Sequence, residues 1–141
     1  YTLSLHDALP ICRRAPPCQE SGKCAAGDYG RCIAGSTADC RNSDACQTRG
    51  LCSEFHGKCV AQEGDCKGTV ICKQKGMCTA VHGACRINTD EDCAESVPCR
   101  TKGMCTERGG RCMAGADGDC RKSVLCEKNG WCRAEKGRCV R

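Results

Sequence analysis

Residues 92–114 read DCAESVPCRTKGMCTERGGRCMA, and the placing of one proline in them decides the fold. Asp92 could cap a ten-residue helix, but Pro98 would then lie well inside it, removing a hydrogen bond and clashing with the preceding turn. With Ser96 as the cap, Pro98 falls in the first turn, where amide hydrogens lack partners anyway. The second reading is the consistent one. The helix then stops at Gly103 in a left-handed C′ position, and Met104 folds back on it. The segment after Met104 looks like two short strands joined by a tight turn, with Gly110 as the left-handed residue of a three-residue hairpin loop.

The same stretch recurs along the chain. Five copies, each with four cysteines, occupy residues 12–39, 40–65, 66–92, 93–119 and 120–141. Their cysteines are Cys12, Cys18, Cys24, Cys32; Cys40, Cys46, Cys52, Cys59; Cys66, Cys72, Cys78, Cys85; Cys93, Cys99, Cys105, Cys112; and Cys120, Cys126, Cys132, Cys139. The first two gaps always hold five residues, and the period is 26 to 28. Gly22, Gly50, Gly76, Gly103 and Gly130 precede the third cysteine by two, and Gly30, Gly57, Gly83, Gly110 and Gly137 precede the fourth by two. Ser43, Thr69, Ser96 and Ser123 recur as caps, so residues 124–129 are expected to be a short helix capped by Ser123 and ended by Gly130. Asp39, Asp65, Asp92 and Asp119 precede the first cysteines.

The fold class is therefore a small disulfide-rich repeat protein. Each repeat is a short helix plus a β-hairpin tied by two disulfides, with little hydrophobic core. Twenty cysteines in 141 residues, against one Trp, one Phe and two Tyr, leave covalent bridges as the means of holding such small units together. Every copy has four cysteines, so the bridges are expected within repeats; four allow three pairings, and the sequence does not choose among them.

Disulfides persist in oxidising compartments, so a secreted or periplasmic location is expected. The net charge is +5, with 22 Lys and Arg interleaved among 17 Asp and Glu. That is a solvated surface biased modestly toward acidic partners such as an anionic polysaccharide or a membrane surface, and the partner expected is an extracellular protein or an acidic polysaccharide. With no arginine-rich run and few aromatic residues to stack on bases, nucleic-acid binding is not expected. No apolar run reaches the length of a membrane span.

Candidate chemistry is sparse. Zinc sites use cysteine pairs two to four residues apart, and here none are closer than six positions. His56 and His82 sit at equivalent places before the hairpin glycine and read as exposed turn residues, Gly109 and Lys136 taking that place elsewhere. Asp90, Glu91 and Asp92, and Asp117 and Asp119, offer carboxylates but lack the twelve-residue calcium loop, and read as solvated linker. The recurrent serines have a capping role and no recurrent histidine beside them, so no catalytic residue, cofactor or metal site is assigned and no enzyme is expected. Met77, Met104 and Trp131 read as helix-packing residues that would form an apolar stripe only if the repeats stack in register.

The unit DC-[RK]-x-S-x-x-C-x-x-x-G-x-C-x-x-x-x-G-x-C-V-A, over residues 12–141, resembles tandem cysteine-rich repeats in secreted proteins of the myxobacterial type. The first copy lacks the Asp and Ser, and the third carries Arg86 and Ile87 in place of Val-Ala. The resemblance implies secretion and brings no catalytic residue. YTLSLHDALPI, residues 1–11, resembles the translation of a sequencing-library adapter, and is expected to be foreign; any signal peptide or further copies would then lie outside this sequence. The expected function is a structural or binding array. The alternatives are a multi-module protease inhibitor offering tips such as SEFHGK and TERGGR to trypsin-like enzymes, and a thiolate metal-binding protein.

Overall fold

The computed structural model describes residues 11–141, so the expectation for residues 1–11 lies, apart from Ile11, outside the described residues. Ser96 takes the role that Pro98 implies. Its Oγ accepts from the Cys99 N–H at 3.4 Å, the helix runs Val97–Lys102 with the proline in its first turn, and Gly103 closes it at φ +72°. Ser43 and Ser123 cap Asp44–Arg49 and Val124–Asn129 in the same way. In the first repeat Pro16–Ser21 has no side-chain cap and opens on its two prolines; the third has Val70–Lys75. The Ser43, Thr69, Ser96 and Ser123 hydroxyls also donate to the carbonyls of Cys40, Cys66, Cys93 and Cys120 at 2.6–2.8 Å. Ser43, Ser96 and Ser123 thus use both donor and acceptor, which is what makes a buried hydroxyl tolerable.

A second helical turn, not anticipated from the sequence, carries the first cysteine. It spans Thr37–Arg41, Asp90–Ala94 and Asp117–Arg121, and residues 11–14 are helical too. Before the fourth repeat's first cysteine Thr89 and Asp92 form a reciprocal capping box. In the third, residues 63–68 form turns instead, because Gly64 and Gly68 adopt φ of +87° and +76°, which no right-handed helix contains.

Each repeat then closes with an antiparallel hairpin: Ala25–Ala26 with Cys32–Ile33, Ser53–Phe55 with Lys58–Val60, Thr79–Val81 with Ala84–Arg86, Thr106–Arg108 with Arg111–Met113, and Arg133–Glu135 with Arg138–Val140. The expected three-residue loop needs correction in the later repeats. Phe55 pairs with Lys58, Arg108 with Arg111 and Glu135 with Arg138, leaving two-residue turns. Both turn residues have positive φ, as in His56-Gly57, Gly109-Gly110 and Lys136-Gly137. That is the requirement of a type I′ turn, whose twist matches the strands. The first repeat has one more residue in its last gap; Ala26 pairs with Cys32 and the Gly27 N–H donates to the Arg31 carbonyl, which leaves three residues in its loop.

The pairing left open by the sequence is first-to-fourth and second-to-third. Cys12–Cys32, Cys40–Cys59, Cys93–Cys112 and Cys120–Cys139 tie the leading helical turn to the second strand, with Cα separations of 5.4–5.5 Å. Cys18–Cys24, Cys46–Cys52, Cys72–Cys78, Cys99–Cys105 and Cys126–Cys132 tie the capped helix to the hairpin's start, at 4.4–4.6 Å. Cys66 and Cys85 are also disulfide-bonded. The buried interior is cystine, capping hydroxyls and alanines such as Ala34, Ala61 and Ala114, while Phe55 and Trp131 are exposed.

Two compact units divide the chain. One runs through Thr69 and includes Ala80–Ala84; the other comprises Val70–Thr79 and Cys85–Arg141. No helix among the described residues is long and apolar enough to cross a membrane.

Candidate interaction surface

What holds a hairpin tip in place is the joint between successive repeats, and each unit contains such joints. A Cβ on Gly22 would lie 2.6 Å from Cys59 Sγ and 2.9 Å from Cys40 Cα. One on Gly103 would meet Cys139 Sγ at 2.5 Å and Cys120 Cα at 2.9 Å, and one on Gly76 would meet Cys112 Sγ and the Asp92 carbonyl at 3.0 Å. The helix-ending glycine is therefore required twice over, for its positive φ and because the next repeat's first-to-fourth cystine rests on it. On the other side of the joint, Ile33, Val60 and Met113 lie over Gly57, Gly83 and Gly137 of the next hairpin. The Ala34, Ala61 and Ala114 N–H groups donate to those three glycine carbonyls at 2.9–3.0 Å. Arg86 breaks the series, and the space beside Gly110 is empty.

The recurrent aspartates are the third part of the joint, and the reading of them as solvated linker is overturned. Asp92 is 2% exposed. Its carboxylate accepts from Thr79 Oγ1 of the preceding hairpin at 2.7 and 3.0 Å, and from the Asn88 and Thr89 N–H groups. Asp65 takes Ser53 Oγ and the Gln62 N–H in the same way, and Asp119 takes Thr106 Oγ1 and the Gly115 N–H. Asp90 and Asp117 accept from the strand N–H groups of Glu107 and Ala134, both at 2.8 Å. The hydroxyl after the third cysteine, at Ser53, Thr79 and Thr106, was the sequence signal that could have revealed this. Asp90 and Glu91 are both exposed and, with Lys122, line an open cleft of about 390 Å³.

The tips themselves are rigid in backbone and varied in side chain. Glu54 and Glu107 each close a turn by accepting from the glycine three residues on, at 2.9 and 2.8 Å. His56 and His82 occupy the first turn position at φ of +49° and +50° and are exposed, as expected; histidine tolerates this region better than most residues. Phe55 stacks edge-on against His56 with ring centres 4.2 Å apart and is 56% exposed. Lys58, Arg108, Arg111 and Arg138 flank the later turns, Lys136 stands within one, and all are exposed.

The remaining expected positions carry structure. The buried Ser43, Ser96 and Ser123 hydroxyls are fully engaged in caps, so none is free to act as a nucleophile. All described cysteines are in disulfides, leaving no thiolate ligand among them, and no cluster of three or more His, Cys, Asp or Glu residues is arranged to hold a metal among the described residues. Met77 and Met104 are half-buried beside the joints. Comparison with family models, with curated proteins and with solved structures finds no match for this chain.

Proposed function

We propose that this chain is a secreted, disulfide-stabilised repeat array that binds through its hairpin tips and catalyses no reaction. The partner chemistry that fits the tips is an acidic polysaccharide on an extracellular surface. The observation that carries this reading is the fourth and fifth tips, where Arg108 and Arg111, and Lys136 and Arg138, stand exposed on turns fixed by the backbone. A backbone already fixed spares the cost of ordering the loop on binding, leaving only that of the side chains. Disulfide-bonded cysteines throughout support an oxidising compartment, where such bridges persist.

The same tips weigh against the protease-inhibitor alternative. Strands three residues long joined by two-residue turns leave no extended segment of the kind that fills a protease cleft. The metal-binding alternative needs thiolates, and cystine offers none.

The test is retention of the oxidised protein on sulfated and uronic-acid polysaccharide matrices beside a neutral one. Binding to the acidic matrices at low salt, released as salt screens the charges and reduced in an Arg108→Ala/Arg111→Ala variant, is expected. Flow-through on every matrix, or equal retention of the variant, would dismiss the binding role.

A further inference from the structure

The end face of the fifth repeat is built like the faces that, elsewhere in the chain, the next repeat covers. Gly22, Gly76 and Gly103 are buried against the repeat that comes after each. Gly130 has the same φ of +72° as Gly103, yet it is exposed, and a Cβ there would meet nothing within 4 Å. Trp131 stands in the place of the half-buried Met77 and Met104 and is 41% exposed. Val140 stands where Ile33, Val60 and Met113 reach over the next hairpin's glycine, and with Trp131 it lines an open, mostly apolar hollow of about 310 Å³.

Polar groups obey the same logic. Arg133 occupies the position from which Ser53, Thr79 and Thr106 donate to the aspartate just before the next repeat's first cysteine. Its guanidinium, held on the Arg141 carbonyl by Nη2 at 2.8 Å and Nε at 3.3 Å, offers that aspartate a charged donor.

We infer that this face is a docking site for another four-cysteine repeat joined in tandem. The incoming aspartate meets Arg133, and the incoming first-to-fourth cystine covers Gly130 and brings Trp131 to the half-buried state of Met104. Docking of this kind rests on the array architecture alone, so failure of the tips to bind polysaccharide would leave it standing.

The test is a chain extended by a second copy of residues 88–114 directly after Arg141. Val140, Arg141 and the copied residues 88–92 then form a seven-residue connector, the length found between Cys112 and Cys120. Trp131 remains the single tryptophan and reports on the face. The expected result is a blue-shifted Trp131 emission and at least about threefold weaker acrylamide quenching, partly lost when the appended copy carries Asp92→Asn. Unchanged emission with both new cystines formed would overturn the proposal. So would an appended repeat left with free or scrambled thiols, since the same residues fold when seated at 88–114. A concentration-dependent shift in the unextended chain would assign the face to a second copy of the protein and overturn the tandem assignment.

Discussion

Gly103 and Gly130 are a matched pair that isolates the joint between repeats. Both end a capped six-residue helix, both adopt φ of +72°, and both precede the third cysteine by two residues. They differ in surroundings: a Cβ on Gly103 would press on Cys139 Sγ at 2.5 Å and Cys120 Cα at 2.9 Å, while one on Gly130 would meet nothing. Alanine in the left-handed region costs about 1–2 kcal/mol at either site. Only at Gly103 does overpacking against a close-packed neighbour add about 1–3 kcal/mol. Cys120 is wholly buried and its cystine is tied at both ends, so the neighbour has little room to give. The readout is amide exchange at Ala114, whose N–H donates to the Gly137 carbonyl across this joint, together with thermal melting of the oxidised protein. Gly103→Ala should speed Ala114 exchange by roughly 5- to 140-fold, the added cost converted at about 1.4 kcal/mol per tenfold. Gly130→Ala should leave it protected. Equal effects from the two variants would refute the joint as described.

The same geometry sets two further outcomes. Asp92→Ala leaves the Thr79 hydroxyl and the Asn88 and Thr89 N–H groups without their shared acceptor, at a cost of about 1–3 kcal/mol; denaturant unfolding should show that loss, and a variant as stable as the parent would contradict the clasp. Replacing Cys120 and Cys139 together by Ser should cost more than replacing Cys126 and Cys132. The chain-entropy model gives about 3 kcal/mol for the longer loop against about 2 for the shorter, and only the first pair is buried at a joint; melting of the two double variants decides it.

What the sequence made legible was local. Ser96 beside Pro98 placed a helix to the residue, Gly103 ended it, and both are matters of backbone chemistry within one turn. The pairing of cysteines was not legible, because it depends on where a strand returns 19 residues later. The aspartates were seen to recur, but their partners lie 12 or 13 residues upstream in the preceding hairpin, beyond the reach of helix or turn rules. The hairpin turns were misjudged by one residue, although His-Gly and Gly-Gly pairs suit a two-residue turn in which both positions take positive φ. The tips were visible as the variable part of a constant frame, while the end face of the fifth repeat became apparent only once internal joints showed what an equivalent face holds.

The central claim is an array of repeats stapled internally, second-to-third throughout and first-to-fourth in those opened by Cys12, Cys40, Cys93 and Cys120. Peptide mapping of the oxidised protein by mass spectrometry, without reductant, tests it most directly. The account predicts cross-links Cys40–Cys59 with Cys46–Cys52, Cys93–Cys112 with Cys99–Cys105, and Cys120–Cys139 with Cys126–Cys132. Bridges between repeats, first-to-third pairing or abundant free thiols would contradict it.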